Sequence, residues 1–484
     1  MPNSSNGPTR LVLRLGAVSG LVLGLAAGFT PRAASAQTLQ DALVQAYQNN
    51  PQLQAERANL RATDEGVPQA LANWRPTVSI SASQGYNHVD STSRQAAVTG
   101  LGVPTGGTTD VSGSSNTQPQ TYGVSINQPL YRGGRTVAQT AEALNLVQAE
   151  RARLVAEEQT ILLTVATDYM NVVRDQATVD LDVNNEQVLK KQLEQTQDRF
   201  RVGEVTRTDV AQAEASYAQA IATRQAAEGT LQVDRANYER DVGMPPGKLT
   251  APTGLPPLPM TRDSAINLAA TGNPNVIAAQ FTQQAGEDNI NVVRGQLLPQ
   301  VGLTASWQHS KDSGSSTGFG GQRADEAQIV AQVTMPLYEG GAIYSQTRQA
   351  QQTVAQRKSL VDDARRAAAQ SAATFWEEIV SDRATIVSLQ SAIRANEIAL
   401  DGTQQEAAVG QRTVLDILNA EQLLLQSRVN LVSSQHDEIV AELSLSSAIG
   451  TLTAKSLALP VELYDPDKNF AVVRDKWIGF GTAE

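Results

Sequence analysis

The 484-residue chain has no cysteine, which excludes disulfides, thiolate metal sites, a cysteine nucleophile and a lipid-modified N-terminal cysteine. Histidine is almost as scarce. His88, His309 and His436 are widely separated and leave little for imidazole metal sites or histidine-based catalysis. Only 4% of residues are aromatic, with four Trp and seven Phe, too few for the three ordinary cores that the length would allow. The formal net charge is -11, without the basic stripe that a nucleic-acid partner would require. No phosphate-binding loop, cofactor motif or catalytic constellation stands out, so no enzymatic activity and no cofactor is expected, and any energy must come from a partner. Acidic pairs such as Glu157-Glu158 and Glu377-Glu378 read as solvated faces of Ala/Gln-rich helices.

The first 36 residues read as a secretory signal peptide. Arg10 and Arg14 precede an apolar run from Leu15 to Phe29, and Ala34-Ser35-Ala36 supplies a small-residue cleavage site. A retained N-terminal anchor helix is the alternative. Cleavage removes three arginines and no acids, leaving a net charge of -14. Beyond it, no stretch offers eighteen uninterrupted apolar residues, so the mature chain is expected to be soluble or to cross a membrane as strands.

A tandem repeat organises the rest. Asn50-Pro51 recurs as Asn273-Pro274, and Arg75-Pro76 is matched by Leu298-Pro299, both at an offset of 223. Gln128-Pro129-Leu130-Tyr131-Arg132-Gly133-Gly134 recurs as Met335-Pro336-Leu337-Tyr338-Glu339-Gly340-Gly341 at an offset of 207. At that offset Val202-Gly203 with Asp209 matches Val409-Gly410 with Asp416, and Val242-Gly243 matches Ile449-Gly450. The offset changes in one interval only, so one loop is longer in the first half. The expected division is a first repeat over 37–244, a Pro-rich connector over 245–260, a second repeat over 261–451 and a C-terminal tail over 452–484.

Each half has the same order of elements. A helical stretch (Leu39 to Ala72; Ser264 to Leu297) leads into a strand, a low-complexity connection and a second strand. Period-two alternation places strands at about 77–87 and 120–129 in the first half, and at about 300–309 and 327–336 in the second. The connections, Asp90 to Thr117 and Ser310 to Gly321, consist largely of small and polar residues and are expected to be solvated loops. After each Gly-Gly pair the pattern becomes helical. Arg135 to Arg201 contains neither Pro nor Gly, about 100 Å of helix if continuous. An imperfect heptad through Leu162, Val165, Tyr169, Val172 and Val179 suits a long coiled coil. Gly203 and Gly410 interrupt, giving helical hairpins over about 135–242 and 342–449.

Four strands of about ten residues match a tilted membrane-spanning β-strand. Strands in lipid must close into a barrel, and single-chain barrels begin at about eight strands, so closure requires more than one chain. Three chains give twelve strands, with polar faces lining a pore and small apolar faces meeting outer-membrane lipid. The alternatives are a soluble four-stranded sandwich beside a helical stalk and a non-conducting trimeric surface stalk or adhesin.

Together these motifs, in order and duplicated from about Thr38 to Ile449, resemble the TolC outer-membrane factor family. The resemblance implies a mainly α fold with a membrane β-barrel: a homotrimeric helical coiled-coil tunnel through the periplasm plus a twelve-stranded barrel in the outer membrane. It also implies docking of a periplasmic adaptor (membrane fusion) protein linked to an inner-membrane pump, and passage of substrate without chemistry. Val202, Gly203, Val409 and Gly410 would form the periplasmic tips where the adaptor docks. Asp416 would contribute to a ring of three carboxylates at the tunnel entrance. The family's second acid one turn later is Asn419 here, and its aromatic before the second tip is Ala407. Asp209 and Arg412 would link neighbouring hairpins and hold the entrance shut. The bland alternative makes Asp209, Arg412 and Asp416 ordinary solvated helix residues. The tail segments Val461–Pro466 and Val473–Gly479 resemble the type I protein secretion branch, with multidrug efflux as the alternative.

Overall fold

The computed structural model describes residues 37–482 apart from 99, 103, 253, 255 and 313–320. The signal-peptide reading, and most of the second low-complexity connection, lie outside the described residues.

Helices α1 (Leu39–Asn49), α2 (Pro51–Asp64) and α3 (Gly66–Ala72) open the first half. They are separate because Asn50 ends one helix and caps the next, with Pro51 in the first helical position where its missing N–H costs nothing. The Asn50 side chain accepts from the Gln52 N–H at 2.9 Å and donates to the Asp241 carbonyl at 3.2 Å. Asn273 repeats this, accepting from Asn275 at 2.9 Å and donating to the Ala448 carbonyl at 2.9 Å. The duplicated Asn-Pro is thus a clasp between the start of each half and the far end of its own hairpin.

Strands β1 (Thr77–Gln84), β2 (Asn87–Val98), β3 (Pro104–Thr117) and β4 (Pro119–Arg132) follow. Then come the hairpin α4 (Arg135–Arg201) and α5 (Arg207–Val242), helices α6 (Arg262–Gly272) and α7 (Pro274–Arg294), and strands β5 (Gln300–Asp312) and β6 (Gln322–Thr334). The second hairpin is α8 (Ala342–Ala408) and α9 (Val414–Ala448), and α10 (Pro466–Val473) lies in the tail. Both α4 and α8 run unbroken for 67 residues, each entered through a left-handed glycine, Gly134 or Gly341.

One antiparallel sheet has the order β1-β4-β5-β6, leaving β1 and β6 as open edges. Its register sets Ile80, Val124, Trp307 and Ala327 in one row, and Val78, Ile126, Ala305 and Ile329 in the next. Between them runs a polar row of Ser79, Ser125, Ser306 and Gln328, so one face is apolar and the other polar. The expectation of a solvated loop over Asp90 to Thr117 requires correction: β2 and β3 pair into a long two-stranded ribbon, with Arg94 bridging Asp110 at 2.9 Å. Ser- and Thr-rich strands support a backbone ladder that needs no core, and the side chains remain almost wholly exposed. β5 likewise extends to Asp312, beyond the expected end at 309.

The main core lies where α1, α2, α4, α5 and the start of the tail meet, around Leu53, Leu60, Leu162, Val165, Tyr169 and Tyr238. The heptad stripe of α4 is buried from Leu162 to Val179, whereas Val137, Leu144 and Phe200 at its ends are exposed. A second core, built largely of Ala265, Ala269, Ala368 and Ala372, is thinner, with Phe375 and Trp376 packed at its edge as helix contacts. Alanine contacts let helices approach closely, which is why so few aromatics suffice.

Candidate functional site

The two interhelical turns have the same construction. In α4, the last helical carbonyls are satisfied by the turn that follows: Gly203 N–H donates to Phe200 at 3.0 Å and Glu204 N–H to Arg199 at 2.9 Å. After α8, Gly410 donates to Ala407 at 3.2 Å and Gln411 to Glu406 at 2.9 Å. This is a Schellman stop, which requires a left-handed residue, and Gly203 and Gly410 have φ of 80° and 79°. Val202 and Val409 are 78% and 72% exposed, so each tip presents an apolar side chain to the outside.

The returning helix starts with a capping box. Thr206 Oγ1 accepts from the Asp209 N–H at 3.3 Å, while Asp209 Oδ2 accepts from the Thr206 N–H at 2.8 Å. Thr413 and Asp416 match this at 3.3 Å and 2.9 Å. The shared unit is therefore Val-Gly-x-x-Thr-x-x-Asp, and the threonines are residues that the sequence reading overlooked. The Thr-x-x-Asp spacing is itself a helix-start signature and was the available signal. Both aspartates have a definite local task, closing a helix terminus. Replacing Thr206 or Thr413 by valine is expected to cost about 1 kcal/mol at that terminus, giving roughly five-fold faster amide exchange over the first turn of α5 or α9. Serine should restore protection, and unchanged exchange in the valine variants would contradict this role.

Thr413, chiefly through its backbone N–H, holds the Asp416 carboxyl below the usual carboxylate range. Arg412 pairs with Glu406 at 2.8 Å, which raises the guanidinium pKa, and makes no ion pair with Asp209 within one chain. Asn419 is exposed one turn beyond Asp416. The nearest acid further along α9 is Glu421, whose pKa is pushed up by burial and which accepts from Gln404 at 3.3 Å. Leu189, Ala213, Ala220, Val414 and Leu418 form a small core, with Val205 against it, that sets the two tips side by side. A groove between the two hairpins is lined by Leu189, Leu418 and Leu425 together with Asn185, Gln219 and Gln422.

No helix among the described residues is long and apolar enough to cross a membrane. A two-faced sheet above a pair of capped helical hairpins defines instead the subunit of a strand-walled channel with a helical tunnel. The sequence profile of the outer membrane efflux protein family matches residues 42–240 and 265–451, and the chain belongs to that family. It is 34% identical over 468 residues to the outer membrane efflux protein BepC of Brucella suis, covering 96% of each chain. It is 25% identical to the outer membrane protein TolC of Vibrio cholerae, over 90% of this chain and 96% of that one. The crystal structure of VceC, an outer membrane protein of Vibrio cholerae, superposes with a TM-score of 0.68 at 21% identity, covering 85% of this chain and 96% of that one. The protein is a non-enzymatic exit duct of the bacterial outer membrane, with the helical tunnel and barrel fold.

Proposed function

We propose that the chain works as a homotrimer whose helical tips receive a periplasmic adaptor coupled to an inner-membrane pump. The observation that carries the association with a neighbouring subunit is a set of contacts made in the first half and lacking in the second. Three chains of four strands then match the twelve-stranded barrel expected from the family. β4 continues to Arg132 because β5 pairs with it as far as Gln300, whereas β6 stops at Thr334. Leu337 and Tyr338 are 89% and 81% exposed, against 51% and 43% for their counterparts Leu130 and Tyr131. α4 holds α7 through Asn145–Asp288 at 2.7 Å and Asn289–Glu142 at 3.1 Å, while the corresponding Gln352 and Gln349 on α8 face solvent.

The repeat offsets supply the missing partner. β4 pairs Ile126 with Ala305. Translated to the second half and to the first strand of the next subunit, Val333 faces Ala82. Each chain then adds four strands to a ring without edges. A native chain without cysteine makes the test direct. Cysteines at Ala82 and Val333 are expected to oxidise into a ladder ending at three covalently joined chains, since opposed antiparallel residues lie about 4.5–5.5 Å apart. Either cysteine alone should give no ladder, and a double variant without trimer would sink the arrangement.

Reading the tips as the adaptor site is supported by their exposed valines and by the groove of mixed polar and apolar lining between the two hairpins. Asp209, Arg412 and Asp416 then serve twice, as cap or local ion pair within a chain and as charges at the entrance of the closed ring. A ring of Asp416 carboxylates would attract cations, with Asn419 giving no second acidic layer. For the cargo, an efflux role is favoured by the full-length similarity to BepC, an outer membrane efflux protein. Type I protein secretion is the second reading, favoured by the tail sequence. Deleting the chain from its host and comparing drug susceptibility with the secreted-protein profile separates the two.

A further inference from the structure

The tail is a strap along the first-half helices that ends at the foot of the barrel. Leu459 and Val473 are buried, and Tyr464 packs against the main core, its N–H donating to the Tyr47 hydroxyl at 3.0 Å. The Arg57 guanidinium lies 4.6 Å from the Tyr47 ring centre and 5.2 Å from that of Tyr464. Further along, Arg151 bridges Asp467 at 2.6 Å, and Asn469 donates to Asp64 at 2.7 Å. Finally Arg75 Nη1 donates to the Lys476 carbonyl at 2.8 Å, with its guanidinium 4.7 Å from the Trp477 ring centre. The successive partners Tyr47, Arg57, Asp64 and Arg75 advance along the chain toward β1, which begins at Thr77.

At that level the tail changes character. Earlier in the tail the apolar residues are mixed, with Leu459 and Val473 buried and Leu463 and Val472 exposed singly. Here exposure is concentrated: Trp477 is 66% exposed, Ile478 is 91% exposed, and Phe480 is fully exposed. Arg474 and Lys476, with Asp475 between them, immediately precede this patch, and the Lys476 ammonium donates to the Gly481 carbonyl beside it. We propose that Trp477, Ile478 and Phe480 form an interfacial anchor that inserts into the periplasmic leaflet of the outer membrane around the foot of the barrel. Three observations select phospholipid as the occupant. The patch adjoins the first residues of a membrane strand, it combines an indole with aliphatic and phenyl groups, and cations stand beside it. Indoles settle at the headgroup level, and lysine and arginine reach from there to phosphates. The anchor rests on the membrane placement of the strands.

The test uses the full chain reconstituted as the assembled channel in phosphatidylcholine/phosphatidylglycerol vesicles. With Trp74, Trp307 and Trp376 replaced by Phe, Trp477 is expected to lose at least half its emission to phospholipid brominated near the headgroup end of its chains. Deeper bromines should quench less, and aqueous iodide little. A companion protein retaining only Trp307, on the apolar face of the sheet, reports the barrel itself. Quenching of Trp307 but not Trp477 by brominated lipid overturns the anchor alone, and failure of both overturns the membrane placement of the strands. Protection of Trp477 from bromine and iodide alike would mean that protein covers it, and also overturns the anchor. Should the tryptophan-depleted chain fail to assemble, Ile478→Cys in the otherwise native chain carries a nitroxide. It is expected to collide preferentially with oxygen over a water-soluble nickel chelate, and the reverse preference overturns the proposal.

Discussion

Tyr169→Ala is expected to destabilise the fold by about 3–5 kcal/mol, the range for truncating a large buried side chain. Tyr169 is completely buried on α4, with its ring 6.4 Å from that of Tyr238 on α5. Its hydroxyl lies 2.6 Å from the Thr250 carbonyl and 2.8 Å from the Gln37 carbonyl, and accepts the Thr250 N–H at 3.1 Å. A phenol has one proton, so it donates to one carbonyl at a time. Either way the group ties the Pro-rich connector and Gln37 to the middle of α4. The conservative variant separates the contributions. Tyr169→Phe keeps the ring but leaves the Thr250 N–H without its partner, at a cost of about 1–3 kcal/mol. That loss should appear mainly as faster proteolysis within 245–260. Tyr238→Phe supplies the control, because the Tyr238 hydroxyl is buried without a hydrogen-bond partner. Removing it should be neutral or slightly stabilising. Denaturant midpoints for the three variants in one detergent provide the comparison, and equal losses for Tyr169→Phe and Tyr169→Ala would contradict this division of roles.

Much of the architecture was legible because the sequence carries it twice. The Pro- and Gly-free interval from Arg135 to Arg201 coincides with α4, since nothing within it interrupts a helix. Period-two alternation located the sheet, because one polar and one apolar face leave that trace whether or not a neighbouring subunit is present. The ribbon of β2 and β3 was missed for a physical reason: its stability comes from backbone pairing, and both faces are solvated, so no hydrophobic alternation marks it. At the tips, Gly203 and Gly410 are legible as helix stops, whereas the capping role of Asp209 and Asp416 is legible only together with Thr206 and Thr413, three residues before each. The separate anchoring positions of the tail depend on tertiary packing, through Arg57 between two tyrosines and Arg75 against Trp477, and no local pattern announces them.

The two Gly-Gly turns beneath the sheet provide the sharpest contrast between what one chain completes and what an assembly must complete. Gly133 has φ 65°, and a Cβ there would stand 2.2 Å from the Gly295 carbonyl oxygen and 2.8 Å from the Leu298 Cβ. Neither is the movable end of a flexible side chain. Gly133→Ala therefore combines about 1–2 kcal/mol of left-handed backbone strain with about 1–3 kcal/mol of overpacking, and it pries apart the joint between β4 and the segment entering β5. The loss should appear in unfolding of the chain itself, before assembly. Gly340 holds the same place in the second half, with φ 61°, yet a Cβ there meets nothing within 4 Å. Within one chain, Gly340→Ala should carry only the backbone strain. The repeat places against it the counterpart of Gly295, which is Ala72 of the next subunit, already one methyl larger than glycine. Gly340→Ala is thus expected to leave the isolated chain close to its normal stability while sharply reducing the yield of assembled trimer. Denaturant unfolding of the unassembled chain, set beside the fraction of trimer surviving mild detergent electrophoresis, distinguishes the two variants. Normal assembly of Gly340→Ala would mean that the two turns do not occupy equivalent joints, and would count against the repeat-derived register between Val333 and Ala82.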